Sequence, residues 1–346
     1  MLQQTQTSKV LEYFDRFMKR FPSVNALAAA RLDDVLKAWE GLGYYARARN
    51  LHQAAKFLAD HLNGKFPRVY QELLEIPGIG PYTAAAVASI AFNQDRAVVD
   101  GNVERVLSRL FVIEEFPRSS SGKRTFQHAA DGFLLPGTAR HWNQALMELG
   151  ALICLPRRPR CAICPAKRYC KALHILREPD RLPIRKPKTA RPHHDLVVGL
   201  IWKNGRVLID QRKPDGLLGG LWEFPGGKIE NGESHEQALR REALEALAIE
   251  VEVRRPVMQV RHSYTHFSVT LHVYHCHHLA GRARPLKGQA SERPTDGRPC
   301  SPKGRPAAIG CQKCKWVFPS QLGSYAFPTA NRRIINALMP QDGTHE

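Results

Sequence analysis

Leu74-Glu75-Ile76-Pro77-Gly78-Ile79-Gly80-Pro81-Tyr82-Thr83-Ala84 decides the fold, together with Val98-Val99-Asp100-Gly101-Asn102-Val103-Glu104-Arg105-Val106 downstream of it. The first stretch lies between two segments of helical periodicity. Its glycines, two residues apart, let the backbone turn tightly and approach a ligand closely. They also open a helix, whose free N–H groups can receive a phosphate. By itself this is a glycine-containing turn between helices, and by itself Asp100 is an aspartate capping a helix.

Outward from this pair, apolar residues keep the helical period from Lys9 to about Ile153. Val10, Leu11, Phe14, Phe17, Met18 and Phe21 recur three and four apart, which predicts one buried stripe. Similar stripes run through Leu32–Trp39, Ala46–Leu62, Tyr82–Phe92, Asn102–Phe111 and Trp142–Ile153. Residues 1–153 are therefore expected to form an all-α domain, followed by a cysteine-rich basic loop at 154–171. Arg181–His194 (RLPIRKPKTARPHH) has the prolines and cations of an extended linker. The period then changes. Leu196–Trp202, Val207–Gln211, Val251–Val253 and Ser268–Tyr274 predict strands, and Ser234–Ala248 a helix. Residues 195–340 are expected to form an α+β domain, interrupted by a surface insertion at about 281–310 that is rich in Gly, Pro and Arg and is predicted to be disordered.

The balance of 51 Lys and Arg against 32 Asp and Glu, a formal charge of +19 over 346 residues, suits a polyanionic partner, and on charge alone a solubilising surface equally well. The sequence has no apolar run of bilayer-spanning length and its N-terminus lacks the apolar core of a secretory signal. A bacterial cytoplasmic, nucleoid-associated monomer without a membrane partner is the expectation. Among eight cysteines, Cys154, Cys161, Cys164 and Cys170 form C-x6-C-x2-C-x5-C. Four thiolates in one short loop can hold either zinc or an iron–sulfur cluster. Zinc more often takes two separated C-x2-C pairs, and this loop has one. Cys311 and Cys314 form a lone C-x2-C for which zinc is not expected.

A helix–hairpin–helix followed by VDGNVxRV resembles the endonuclease III superfamily of DNA glycosylases. Met1-Leu2-Gln3-Gln4-Thr5-Gln6-Thr7 and Gly41-Leu42-Gly43-Tyr44-Tyr45-Ala46-Arg47 resemble, within it, the MutY-type adenine DNA glycosylases. The resemblance covers residues 1–279 and 315–338. It implies that Asp100 stabilises the cationic sugar formed as the glycosidic bond breaks, an electrostatic role. It also implies a [4Fe–4S] cluster on Cys154, Cys161, Cys164 and Cys170. Gly78 and Gly80 would contact DNA, and Gln4 and Tyr44 would wedge into the duplex as adenine leaves the stack. Leu2 would lie near the flipped base. Bifunctional members of the superfamily carry a hairpin lysine that attacks the sugar; Tyr82 stands there and cannot form an imine, so base removal without strand cleavage is expected.

Leu221-Trp222-Glu223-Phe224-Pro225-Gly226-Gly227-Lys228, followed by Glu233, Arg241, Glu242 and Glu245, resembles a Nudix box, with Ala246 where a second adjacent glutamate is usual. Loss of that carboxylate weakens a magnesium site. The resemblance thus implies a domain that reads 8-oxoguanine rather than one that hydrolyses nucleotides. His262-Ser263-Tyr264-Thr265-His266-Phe267 resembles the loop with which the family contacts 8-oxoguanine, and Thr265 and His266 are its candidate base-recognition residues. The implied partner is double-stranded DNA with an A·8-oxoguanine or A·G mispair. The family's catalytic acid is a glutamate two residues before the methionine of MLQQT. That methionine is Met1, so the acid is expected upstream, within roughly forty further residues. A start assigned at an internal methionine explains this better than a decayed gene, because Asp100, Tyr82 and all four loop cysteines are retained. A non-catalytic lesion-binding protein and a Nudix hydrolase are the competing readings.

Overall fold

The helical stripes fold as their period requires. The computed structural model describes residues 1–3, 5, 7–185, 191–214, 216–264, 267–285 and 311–339. Helices α1 (Thr7–Arg20), α2 (Val24–Ala29), α3 (Leu32–Trp39), α4 (Ala46–Leu62), α5 (Tyr70–Leu74), α6 (Pro81–Ala86), α7 (Gly101–Phe111), α8 (Ser120–Phe133) and α9 (Ala139–Glu148) follow one another. Helices α6 and α9 each continue into a wider π-helical turn, Val87–Ala91 and Leu149–Ile153. The chain divides into two compact units, Gln53–Thr189 and a second made of Met1–His52 with Ala190–Glu346.

In the Gln53–Thr189 unit, Val103, Val106, Leu107 and Leu110 form the inner face of α7 and pack with Ala97, Phe126, Ala130 and Leu146. Each large apolar side chain buried there contributes about 1.5–3 kcal/mol before chain entropy is counted. A Cβ at Gly150 would lie 2.6 Å from Asn102 Cβ, so the turn after α9 presses directly on the start of α7. That close approach holds the residues beside Asp100 in place.

The other unit contains a mixed sheet of β1 (His193–Lys203), β2 (Arg206–Arg212), β3 (Trp222–Glu223), β4 (Gly226–Lys228), β5 (Glu250–Ser263), β6 (Ser268–Ala280) and β7 (Cys311–Val317), with α10 (His235–Leu247) and α11 (Thr329–Leu338). The main path is β3-β2-β1-β6-β5, with β4 paired to β1 and β7 to β2. Only β1 and β6 run parallel among these pairs, from His193 opposite Ser268 to Trp202 opposite His277. Side chains alternate across the sheet. Val198 and Leu200 join the core with Phe327 and Ile334 of the α11 end, whereas Val197 and Ile201 join Leu239, Ala243 and Leu247 of α10.

Within this same unit Glu40, just past α3, is a hub. Both its oxygens accept from the Arg332 guanidinium, at 2.9 and 2.8 Å, Lys37 Nζ lies 2.6 Å away, and the Phe327 N–H donates at 2.9 Å. Burial pushes the Glu40 carboxyl up, but these donors outweigh it and hold the group below its usual range.

Three sequence expectations change. The linker ends before His193, because β1 starts there, with the His193 ring bonded to Ser268 Oγ at 2.9 Å and Thr270 Oγ1 at 3.0 Å. The short strand expected at Val251–Val253 extends to Ser263 through register shifts around Pro256. Strand β7 was not expected from Cys-Gln-Lys-Cys-Lys-Trp-Val: it buries only Cys311 and Val317, and Lys315 lies over the Trp222 and Tyr325 rings. Most of the 281–310 insertion lies outside the described residues.

Candidate active site

The hairpin is anchored from below. Leu73 and Ile76 are buried, the Ile76 N–H bonds Leu73 O at 3.3 Å, and the Ile79 N–H bonds Ile76 O at 3.0 Å. Between them Gly78 takes φ +81°, a left-handed conformation that side chains disfavour. Gly80 caps α6 with φ −91° and has open space where a Cβ would stand, so here the glycine leaves the backbone uncovered rather than permitting a special turn. Pro81 follows at the first helical position, where a missing N–H costs nothing. Tyr82 is 37% exposed at the start of α6, and burial, then the charge of Asp100, raise its phenol above the usual range.

Asp100 is half-buried at the N-terminus of α7, and its carboxylate accepts three hydrogen bonds. Oδ1 takes the Asn102 and Val103 N–H groups at 2.9 and 2.8 Å, and Oδ2 takes Asn102 Nδ2 at 3.1 Å. Asp100 is the N-cap of α7, as its place in the sequence predicts. The cap fixes where the charge points.

Sequence reasoning missed what lies behind it. Arg105 is 8% exposed and Arg109 only 1%, one turn apart on an otherwise apolar helix face. Arg105 donates to Asn102 Oδ1 at 2.8 Å, Gly150 O at 2.6 Å and Cys154 O at 2.6 Å. Arg109 reaches Leu155 O at 2.8 Å, Leu182 O at 3.0 Å and Cys154 Sγ at 3.2 Å. Buried guanidinium groups must be paired. The signal in the sequence was two arginines four residues apart within an apolar stripe, whose partners could only lie in a distant loop.

Cys154, Cys161, Cys164 and Cys170 all line one cavity, with Arg109 and Lys167 among its walls. Burial raises the Cys161 thiol, and so do the charges of the other three cysteines. An iron–sulfur cube takes one thiolate at each of its irons, and four cysteines on one short loop can supply them. The donor set and the Arg109 hydrogen bond to sulfur fit a cluster.

Of the two adjacent tyrosines, Tyr44 is 46% exposed and Tyr45 is 4% exposed, with burial pushing the Tyr45 phenol up to about 12. The turn before α4 is left-handed at Gly41 (φ +97°), Gly43 (φ +73°) and Tyr44 (φ +49°). Leu2 is exposed in the same unit. Gln4, Thr265 and His266 lie outside the described residues. Beside the last two, Tyr264 stacks on Phe267 at 4.8 Å and its phenol is pushed up to about 12 by burial.

In the Nudix-like box, Arg241 binds both oxygens of Glu233 at 2.6 and 3.0 Å and Glu242 Oε1 at 2.9 Å, and stands 3.5 Å from Glu245. Burial raises the Glu242 carboxyl above its usual range. Glu233 and Glu242 are thus hydrogen-bonded to one guanidinium, while the Glu245 side chain stays 65% exposed. Cys311 and Cys314 of β7 lie against the α10-side core, and burial pushes the Cys311 thiol up to about 12. No described helix is long and apolar enough to cross a membrane.

Residues 1–130 match the model of the HhH-GPD superfamily of base excision DNA repair proteins, and residues 197–337 match the NUDIX domain. The adenine DNA glycosylase of Mus musculus is 34% identical over 322 residues, covering 79% of this chain and 62% of the mouse protein. That of Homo sapiens is 32% identical over 321 residues, with 79% and 59% covered. This chain therefore spans about three-fifths of those two relatives. The adenine DNA glycosylase of Rattus norvegicus is 34% identical over 380 residues, which include 97% of this chain and 69% of the rat protein. With the hairpin, the capping aspartate and the Nudix-like sheet in the order that these matches require, the chain belongs to the adenine DNA glycosylase family.

Proposed function

We propose that this chain is a monofunctional base-excision glycosylase that removes adenine mispaired with 8-oxoguanine or guanine in duplex DNA. The observation that carries this is the Asp100 carboxylate, fixed by three donors at the start of α7 and within electrostatic reach of Tyr82 on the hairpin. As the bond from C1′ to N9 breaks, its electron pair leaves with adenine and positive charge develops on the sugar. A carboxylate already oriented toward that charge needs no reorganisation and is worth about 10²–10³-fold in rate. Water then adds at C1′. Tyr82 offers no amine, so the sugar is not captured covalently and the strand is not cut. Adenine leaves readily only when protonated, a general-acid step of about 10²–10⁴-fold.

Gln4 and Tyr44 wedge into the duplex while the base is out of the stack, Gly78 and Gly80 present N–H groups to the backbone, and Leu2 borders the extruded base. Thr265 and His266 read the opposite base from the Nudix-like domain. Cys154, Cys161, Cys164 and Cys170 would hold a [4Fe–4S] cluster, which when bound would tie the loop into one fold. Arg157, Arg158, Arg160, Lys167, Arg168 and Lys171 then face the phosphates. Ala246, where a second adjacent glutamate is usual, speaks against nucleotide hydrolysis as the main activity. The test is single-turnover base release from duplexes that pair adenine with 8-oxoguanine, guanine or thymine. Release from the first two and not the third is expected; a preference for A·T, or no release, refutes the reading.

A further inference from the structure

We propose that Arg47 is a positioning residue: its guanidinium clamps the Met1–Thr5 segment to the Gly41–Tyr45 turn, so that Gln4 and Tyr44 enter the duplex as one wedge. The inference rests on the wedge reading of those two residues given above. All of the groups concerned lie within residues 1–52 of a single compact unit.

Arg47 Nη1 donates to Met1 O at 2.7 Å and also to Gln3 O. Arg47 Nη2 donates to Thr5 Oγ1 at 3.0 Å, with Gly43 O at 3.3 Å and Leu42 O at 3.5 Å. One fork thus holds acceptors on both sides of Gln4 and, at the same time, the two carbonyls that precede Tyr44. The guanidinium also lies 5.3 Å from the Trp39 ring centroid and 5.6 Å from that of Tyr44. From the other side, Trp39 Nε1 donates to Gly43 O at 3.1 Å. The turn it grips contains left-handed Gly43 and Tyr44, a conformation that a tyrosine adopts only where its surroundings hold it.

Helix stability does not explain the residue. Arg47 lies in the first turn of α4, where a cation opposes the helix dipole. Its partly buried Nε has no acceptor among the described residues, which is a further cost. A single guanidinium that spans two loops compensates for both by presetting the wedge before DNA arrives, and preorganisation of this kind raises affinity by cutting the ordering cost of binding.

The clamp is testable without excision. 2-Aminopurine placed at the adenine position opposite 8-oxoguanine brightens when it leaves the stack, and the extrusion equilibrium is read at saturating protein for the unsubstituted chain, Arg47→Lys, Tyr44→Ala and the double variant. Lysine keeps the charge but offers no fork, so Arg47→Lys is expected to lower extrusion about tenfold. In the Tyr44→Ala background it should lower extrusion no further, because the two act as one unit. Circular dichroism confirms that each variant is folded. Extrusion by Arg47→Lys equal to that of the unsubstituted chain overturns the clamp, as does the same tenfold loss in both backgrounds, which would mark a merely structural arginine. Extrusion by Tyr44→Ala equal to that of the unsubstituted chain refutes the wedge reading instead.

Discussion

Replacing Asp100 in two ways separates its two tasks. Asp100→Asn keeps an oxygen that can accept from the Asn102 and Val103 N–H groups, and asparagine caps helices about as well as aspartate. Its stability should stay within about 0.5 kcal/mol of the parent. Asp100→Ala loses the acceptor for both N–H groups and for Asn102 Nδ2, so it should cost about 1–2 kcal/mol. For a unit the size of Gln53–Thr189 this is a Tm lower by about 4–8 °C. Base release should respond differently. Both variants remove the negative charge, and both should lose about 10²–10³-fold in the single-turnover rate. Calorimetry and adenine release measured on the same preparations make the comparison. If Asp100→Asn melts as low as Asp100→Ala, the capping argument is wrong. If Asp100→Asn releases adenine at the parent rate, the electrostatic argument is wrong, however well the helix is capped.

Two further outcomes follow from the same geometry. Glu40 is held below its usual range in the folded chain, so its contribution to stability is full above about pH 4.5 and is lost as pH falls through the lower folded value; Glu40→Gln should cost about 3 kcal/mol at pH 7 and flatten the acid limb of a denaturation–pH profile, and an unchanged limb would refute the hub. Cys154→Ser should remove iron and acid-labile sulfide together and expose the 154–171 loop to proteolysis; retention of zinc without sulfide in the parent protein would replace the cluster by a zinc site.

The sequence carried the local part of this architecture well. Helices α3 and α4 begin and end where the apolar period placed them. Asp100 was legible as a cap, since an aspartate directly before a helix is the usual one. What escaped was long-range. Arg105 and Arg109 meet carbonyls of a loop about forty-five residues on, and Glu40 meets Arg332 almost three hundred residues away; no periodicity encodes such pairs. Strand β7 escaped for a related reason: its buried positions are a cysteine and a valine among lysines, and its place is set by pairing with β2 rather than by its own pattern. That Tyr44 faces outward and Tyr45 inward likewise depends on a left-handed backbone at Tyr44, which two adjacent tyrosines do not announce.

The most direct measurement is adenine release from an A·8-oxoguanine duplex under single-turnover conditions, with this protein and its Asp100→Asn variant. The account predicts release that Asp100→Asn slows by about 10²–10³-fold, with no sugar adduct trapped by borohydride. Mismatch binding without release would contradict it and leave a lesion-binding protein in its place.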